Sequence, residues 1–361
     1  MNALAEAELW PGEEQEWLLR ASLLRGDDAL GAFEKWRIAP QDELDPGSQR
    51  LLPLLFTNLR RIAATGPELE PLESIYRTVK RENVRLFDAA AGVLSQLERA
   101  GLDTLLLKGA CLVAGYYRDS GVRPMYDFDI AVRGAQAQSA VLLLERDGWT
   151  PRQEITPSAL GFRHSVNFGK SDISLDLHWS FCFESVARGD ADFWDAAVRF
   201  DFRGVATRTP ATEDLLLHIV AHGTRRTATP LYWIADAVTV LRTTEGEFDW
   251  ERLFAQVQAL HVVLRVREGL RYLARTFRVA IPEQILDRLD ALPITALERA
   301  EHTLRRRDQL AAGSPLTRAL ERVLVDYWRL RADAGLLRHL RDFPAYLWFR
   351  WDTRSENALR A

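Results

Sequence analysis

The seven residues Tyr-Asp-Phe-Asp-Ile-Ala-Val at positions 126–132 decide the fold of this chain. Apolar side chains alternate with aspartates, which predicts a β-strand with one buried face. Asp127 and Asp129 then project from the same face, because side chains two residues apart on a strand point the same way. Carboxylates held that close repel each other unless a cation lies between them. The pair by itself is either a metal site or two ordinary surface acids, and the rest of the sequence has to decide between them.

A third carboxylate follows on a second predicted strand, which spans residues 173–179. Asp176 and His178 share one face of this strand. Mg²⁺ and Mn²⁺ prefer oxygen ligands, and two such ions about 4 Å apart can hold the attacking and leaving oxygens of a phosphoryl displacement. Asp127, Asp129 and Asp176 are therefore the predicted catalytic metal ligands, and Asp176 also helps to activate an acceptor hydroxyl. His178 is either a substrate contact or a structural histidine.

The run Thr-Leu-Leu-Leu-Lys at residues 104–108, which leads into Gly109, predicts a buried strand followed by a turn. Backbone amides and the Lys108 ammonium can face the phosphates of a nucleotide there, and Gly109 permits a close approach. Lysine is rare in a chain with 47 basic residues, since its only lysines are Lys35, Lys80, Lys108 and Lys170. Lys108 is either an ordinary lysine at a strand end or a compact point charge that the site needs, and the rarity of lysine favours the second.

Two further groups of polar residues are weaker candidates. Arg123, four residues before Asp127, is either a bidentate phosphate clamp or an ordinary solvated arginine. Asp214, His218 and His222 fall on one face of a predicted helix. No acid or base follows them in a zinc-protease arrangement, so packing or a polar seam is favoured over a zinc site. His222 is the best of these three as a substrate contact.

Three motifs resemble those of a known family. They are Leu-Leu-Leu-Lys-Gly-Ala at 105–110, Arg-Pro-Met-Tyr-Asp-Phe-Asp-Ile at 123–130 and Leu-Asp-Leu-His-Trp at 175–179. Their order and content resemble the uncharacterised bacterial nucleotidyltransferase family of the polymerase-beta-like superfamily. The stretches at 214–222 and 233–236 are similar to the helical region that follows the catalytic core of that family.

The resemblance implies a fold, a reaction and a cofactor. The fold is α+β, with a small mixed-sheet nucleotidyltransferase core flanked by helical regions. The reaction is metal-dependent transfer of a nucleoside monophosphate from an NTP, with release of pyrophosphate, and Asp127, Asp129 and Asp176 match the metal positions. The chain departs from the superfamily at Gly109-Ala110, where Gly-Ser or Gly-Gly is usual.

Hydrophobic spacing divides the chain into three consecutive regions. Residues 1–100 are predicted to be helical, residues 101–208 form the nucleotidyltransferase core, and residues 209–361 are helical again. In the core the predicted order is strand, helix, strand, helix, strand, strand. The N-terminal helices are predicted at Glu13–Leu24, Ser48–Ala64 and Pro71–Arg99.

Composition excludes several classes of protein. A net charge of -4 and a pI near 6.0 argue against a surface made for long duplex nucleic acid or anionic membrane. Cys111 and Cys182 cannot form a disulfide framework or a cysteine-based zinc site. The chain shows neither a secretory signal nor a membrane-spanning apolar run, which predicts a cytoplasmic protein. The aromatic run from Tyr346 to Trp351 predicts a terminal helix that docks on the core, in preference to one lying on a membrane.

Two functions are open at this stage. The first is a nucleotidyltransferase whose hydroxyl acceptor is a small molecule, a peptide, a protein or a transfer RNA end. The second is a catalytically degenerate nucleotidyltransferase fold that binds a nucleotide or a partner without turnover. The residue after Gly109, an alanine where serine is usual, is the main support for the second.

Overall fold

A computed structural model of the chain describes residues 10–39, 44–155, 161–225, 231–309, 314–331 and 340–350. The chain forms two compact units. The first comprises residues 1–85, 111–125 and 212–318, and the second comprises residues 86–110, 126–211 and 319–361. Both units are therefore assembled from distant segments of the sequence. The division of the chain into three consecutive regions stays a prediction.

Helices make up most of the described residues. In chain order they are α1 (Glu13–Leu23), α2 (Gly26–Ile38), α3 (Pro46–Arg61), α4 (Leu69–Arg99), α5 (Lys108–Leu112), α6 (Ala137–Arg146), α7 (Ala191–Asp195), α8 (Thr212–Gly223), α9 (Tyr232–Thr243), α10 (Trp250–Ala259), α11 (Val263–Phe277), α12 (Glu283–Ala291), α13 (Ala296–Gln309) and α14 (Pro315–Leu330). A π-helical turn at Val113–Tyr117 follows α5, and residues 340–350 are also helical. None of the described helices is long and apolar enough to cross a bilayer.

The second unit contains a mixed seven-stranded sheet in the order β3-β4-β5-β2-β1-β7-β6. Its strands are β1 (Thr104–Leu107), β2 (Phe128–Val132), β3 (Thr150–Pro151), β4 (Ser165–Lys170), β5 (Ile173–His178), β6 (Val198–Phe202) and β7 (Val205–Thr209). β2 is antiparallel to β1 and parallel to β5, and every residue of β1 and β2 is buried. The predicted α+β fold with a small mixed sheet is confirmed.

Helix α3 shows how sequence sets a helix in the first unit. Asp45 caps it, because its Oδ1 accepts hydrogen bonds from the backbone N–H groups of Gly47 at 2.8 Å and Ser48 at 3.1 Å. Its apolar face is buried, with Leu51, Leu55 and Leu59 at 0% exposure. These leucines follow each other at four-residue spacing, which places them on one side of the helix.

A buried asparagine fixes the loop before β2. Asn83, on α4, donates hydrogen bonds from Nδ2 to the carbonyl oxygens of Ser120 at 2.6 Å and Arg123 at 2.7 Å. Its Oδ1 accepts one from the backbone N–H of Met125 at 3.1 Å. All four residues belong to the first unit, and the side-chain amide of Asn83 satisfies three backbone groups that the irregular loop leaves without partners.

The structure adds elements that the sequence reading missed. α2 was not predicted as a separate helix, and the hairpin of β6 and β7 was not predicted at all. Its turn, Arg203-Gly204, has positive φ at both residues, 54° and 81°, as a two-residue type I′ hairpin requires. Asp201 Oδ1 accepts a hydrogen bond from the Gly204 N–H at 3.0 Å. The sequence signal for this hairpin was the alternating pattern of Val198–Phe202 before the Arg203-Gly204 turn. It was weak because Arg-Gly replaces the Asn-Gly that is usual in such turns.

The C-terminal aromatic run packs within the second unit. Tyr346 is 1% exposed and belongs to a cluster with Phe162, Tyr327 and Leu330. This burial agrees with a docked helix, although Trp348 is 64% exposed. Trp351, the last residue of the run, lies outside the described residues.

Candidate active site

The sheet register brings two acids together at the centre of the second unit. Asp129 on β2 is the direct partner of Asp176 on the parallel strand β5. Partners in register project from the same face of a sheet, so both carboxylates lie on one side. His178 is two residues beyond Asp176 and is paired with Ala131, so its side chain leaves from that face too.

Lys108 reaches this face from the end of β1. Leu107, the last residue of β1, is paired with Asp129, and the chain turns at Lys108 with a positive φ of 44°. A non-glycine residue in this left-handed region costs about 1–3 kcal/mol of strain. The strand therefore ends one residue earlier than the predicted run, and Lys108 opens α5. The strained residue is the lysine and not Gly109.

Four side chains form a compact group, which we call the carboxylate centre: Lys108, Asp129, Asp176 and His178. The Lys108 ammonium donates to Asp129 Oδ1 at 2.6 Å and lies 3.6 Å from Asp176 Oδ2. His178 Nε2 lies 3.2 Å from Asp129 Oδ1 and 3.0 Å from Asp176 Oδ2. Side-chain exposure is 27% for Lys108, 5% for Asp129 and 0% for His178. Only the lysine side reaches solvent appreciably.

The two acids of the centre are held in their charged forms. Burial by itself raises the pKa of Asp129, but Lys108 and the hydrogen bond with His178 outweigh it and bring the pKa below its ordinary value. Burial acts in the same direction on Asp176, and His178 followed by Lys108 again lowers the pKa. Opposite charges at these distances favour the ionised carboxylates.

The two bases of the centre are likewise held in their charged forms. Burial and the Lys108 ammonium lower the pKa of His178, whereas Asp176 and Asp129 raise it, and the net result is a raised pKa. Burial lowers the pKa of Lys108, and the charges of Asp129 and Asp176 more than reverse this effect. The two carboxylates thus favour the charged forms of Lys108 and His178.

The donor atoms of this group fit a divalent cation. Asp129, Asp176 and His178 each offer one ligand atom, and these atoms lie within 4.8 Å of one another. Asp176 Oδ1 is buried and has no hydrogen-bond partner among the described residues, although buried acceptors are normally satisfied. A cation at this oxygen would satisfy it, and carboxylate oxygens are the ligands that Mg²⁺ and Mn²⁺ prefer.

Asp127 and Gly109 lie beside the centre and not within it. β2 begins at Phe128, so Asp127 precedes the strand, half-buried, and is not in the group of three close ligands. Its charge still raises the pKa of Lys108. Gly109 is the buried second residue of α5. The predicted roles of both residues stay predictions.

The remaining predicted residues belong to the first unit. The Arg123 guanidinium makes a bidentate pair with Asp236, from Nε to Oδ1 at 2.8 Å and from an Nη to Oδ2 at 2.9 Å. It also lies 5.2 Å from the centroid of the Tyr232 ring. Its role on phosphate stays a prediction, because in this structure a carboxylate occupies the fork. His222 is exposed on α8, with its ring edge-on to that of His218 at 5.9 Å.

His164 is a neighbour of the centre that sequence reasoning did not single out. Its ring centroid lies 5.4 Å from that of His178, and its charge contributes to the lowered pKa of Asp176. A lone histidine before a strand carries no signal by itself. Only the antiparallel register of β4 and β5, in which Ser165 is paired with His178, reveals the proximity.

A family described as "uncharacterised nucleotidyltransferase" matches residues 47–278, which include the whole sheet. The chain belongs to this family. Membership of this family accounts for the resemblance of the three motifs, and it supports a general nucleotidyl transfer activity.

Solved structures also resemble this family member, at low identity. The antibiotic-resistance factor ANT(2'')-Ia, in a solution structure described as revealing substrate-regulated conformation dynamics, is 11% identical over 58% of this chain and 91% of its own, with a TM-score of 0.32. An antigenic nucleotidyltransferase-like protein from Paracoccidioides brasiliensis is 13% identical over 58% of this chain and 94% of its own, with a TM-score of 0.34. No curated protein matches the sequence.

Proposed function

We propose that this chain transfers a nucleoside monophosphate from an NTP to a hydroxyl acceptor at the carboxylate centre, with release of pyrophosphate. The observation that carries the proposal is the register of Asp129 and Asp176 on adjacent parallel strands, with the partly exposed Lys108 ammonium 2.6 Å from Asp129 and 3.6 Å from Asp176. Two ionised acids and a partly exposed lysine are the groups that a cation-bound triphosphate needs.

Asp129 and Asp176 would hold Mg²⁺ or Mn²⁺, joined by Asp127 from the start of β2. A bound cation supplies charge neutralisation to the phosphate oxygens and aligns the attacking and leaving oxygens. Gly109 lets the triphosphate approach the backbone, as the sequence predicts. Because its pKa is lowered, Asp176 is a weak general base. It is better suited to ligating the metal and accepting a hydrogen bond from the incoming hydroxyl.

Lys108 has two successive partners in this proposal. Without a nucleotide its ammonium neutralises Asp129 at 2.6 Å. A cation bound at Asp129 would repel the ammonium from the same oxygen, and Lys108 would then be available to bind the incoming phosphates. The 27% exposure of the Lys108 side chain leaves room for that movement. Arg123 remains a proposed contact for the leaving pyrophosphate only if its pair with Asp236 opens.

The acceptor is a small molecule, a peptide, a protein or a transfer RNA end. The net charge of -4 favours the first three over a long nucleic acid, because phosphate contacts require clustered basic residues. NTP is available in the cytoplasm, which agrees with the predicted location. His222 stays a proposed substrate contact.

A binding module without turnover is the second candidate function. Two observations favour it: Ala110 replaces the usual serine after Gly109, and Lys108 already neutralises Asp129. Such a module would bind a nucleotide with a divalent cation and release no pyrophosphate.

The test compares cation-dependent pyrophosphate release by the wild type, Asp129→Asn and Asp195→Asn with each NTP and each acceptor class. Asp195 is an exposed acid in the same unit and serves as the matched control. We expect Asp129→Asn to lose at least about 100-fold in rate, because a direct metal ligand matters at least as much as its outer partners. Asp195→Asn should keep the wild-type rate. Equal rates for all three proteins would contradict the proposed enzyme, and nucleotide affinity without release would favour the binding module.

A further inference from the structure

A cavity of about 410 Å³ opens in the first unit, and three arginines stand on its wall. Arg25 follows α1, Arg61 ends α3, and Arg242 lies in the last turn of α9. We call this cavity the arginine pocket. All of its lining residues belong to the first unit, and its volume falls in the range of about 300–1,000 Å³ typical of small-ligand sites.

The three guanidinium groups have no carboxylate partner within the described residues. Arg242 donates to the carbonyl oxygens of Leu23 and Phe277, which are neutral. Arg61 donates to the side-chain oxygen of Asn58, and Arg25 makes no side-chain hydrogen bond or ion pair there. Three arginines that line one cavity without an acidic partner need a reason, because converging like charges cost free energy unless an opposite charge balances them.

The arginines are close enough to repel one another. Burial, followed by the charge of Arg25, lowers the pKa of Arg61. Burial, Arg25 and Arg61 together lower the pKa of Arg242. Placing Arg61 and Arg242 at the ends of helices recovers part of this cost, since cations are favoured there by about 0.3–1 kcal/mol. Helix ends do not explain why the three groups converge on one cavity.

One acid lines the same cavity, and its oxygens are already engaged. Asp119 accepts hydrogen bonds from the Tyr76 hydroxyl at 2.9 and 3.0 Å and from the Gly121 N–H at 2.9 Å. Three cations against one such carboxylate leave the pocket with a net positive charge. An anion is therefore the kind of group that the pocket attracts.

Two of the three arginines, Arg61 and Arg242, are held in place before any ligand arrives. Arg242 uses two of its N–H groups on backbone carbonyls, which fix the side chain and leave three N–H groups for a ligand. Asn58, 4% exposed, orients Arg61 and donates to the carbonyls of Ala21 and Leu24 at 2.7 and 2.9 Å. Preorganised guanidinium groups match the several oxygens of a phosphate better than the two of a carboxylate.

We propose that the arginine pocket binds the phosphate group of a small phosphorylated molecule, as a second ligand site beyond the nucleotidyl-transfer centre. The hydroxyls of Thr57, Thr239 and Thr243 stand on the same wall and donate to their own helices, so their oxygens can accept from the hydroxyls of a sugar-like body. The pocket attracts anions, whereas the carboxylate centre attracts cations. The two sites are thus chemically opposite.

The test measures binding of inorganic phosphate and of ribose 5-phosphate to the full chain by calorimetry, at constant ionic strength and with EDTA. EDTA removes divalent cations, so phosphate cannot bind through a metal at the carboxylate centre. The variant is Arg25→Gln/Arg61→Gln, because both side chains are exposed and the only hydrogen bond they make among the described residues is that of Arg61 to Asn58, so we expect the fold to be retained. Arg60→Gln is the control, because Arg60 lies beside Arg61 on α3 but does not line the pocket.

The wild type and Arg60→Gln should bind at least one of the two ligands, and the double variant should bind it at least about tenfold more weakly. Tighter binding of ribose 5-phosphate would identify an organic ester as the ligand, and equal binding would identify the phosphate group alone. Absence of binding to the wild type, or equal affinity in the double variant, would overturn the proposal. Neither result would affect nucleotidyl transfer, since Asp129 and Asp176 are unchanged.

Discussion

Like charges converge in both units of this chain, but only the second unit balances them with opposite charges. In the carboxylate centre, Asp129 and Asp176 face Lys108 and His178 at distances of 2.6 to 3.6 Å. In the arginine pocket, Arg61 and Arg242 donate only to neutral acceptors, and Arg25 makes no side-chain hydrogen bond among the described residues. A balanced group can be buried, whereas an unbalanced one stays open to water. This difference agrees with the proposal that an anionic ligand supplies the missing negative charge in the arginine pocket.

The largest expected effect comes from removing one charge of the balanced centre. Asp129→Ala should lower the free energy of unfolding by about 3 kcal/mol, because it leaves Lys108 and His178 beside a single carboxylate. Arg61→Gln, in the unbalanced pocket, should change it by less than about 0.5 kcal/mol. Urea unfolding followed by tryptophan fluorescence measures both. Equal effects of the two substitutions would remove the contrast between the sites.

A smaller effect is expected from removing the internal cation. Lys108→Met should raise the affinity of the chain for Mn²⁺ without nucleotide by about tenfold, or about 1.4 kcal/mol, since Asp129 then lacks its ammonium partner. The same substitution should weaken nucleotide binding. Electron paramagnetic resonance of free Mn²⁺ gives the first quantity, with Lys35→Met as control. Unchanged Mn²⁺ affinity would show that Lys108 and the metal do not compete.

The smallest expected effect is a pH dependence due to His178. Its pKa is raised in the folded chain, so the stability it contributes is complete below about pH 6.5 and is lost as the pH rises through the folded value. The difference in stability between the wild type and His178→Gln should therefore be larger at about pH 6 than at about pH 9. Thermal unfolding at the two pH values measures it, with exposed His222→Gln as control. A difference that is constant with pH would mean that His178 is not charged.

Much of the centre could be predicted from the sequence because strand periodicity is local information. The alternation around Asp129 and Asp176 places each side chain on a face of its own strand. The pairing of the two strands is not local, and it alone decides that these acids are partners in register. For the same reason the sequence predicted an equal part for Asp127, whereas β2 begins only at Phe128.

The parts that could not be predicted depend on contacts between distant segments. Arg123 pairs with Asp236, which lies 113 positions further along the chain. The arginine pocket joins Arg25, Arg61 and Arg242, none of which stands in a motif. A lone arginine in a helix is normally a solvated residue, so only the fold shows that these three share a cavity. The hairpin at Arg203-Gly204 was missed because a rare turn residue replaced the usual asparagine.

The positive φ of Lys108 makes position 108 a site of conflicting demands. Glycine would adopt a φ of 44° without strain, so stability alone asks for glycine at the end of β1. The carboxylates of Asp129 and Asp176, however, require a positive charge at this position, and the Lys108 ammonium supplies it. No single residue satisfies both demands, and the chain keeps one of its few lysines here. Selection for thermostability alone would therefore favour replacement of Lys108 by glycine, and the carboxylate centre would lose its ammonium group.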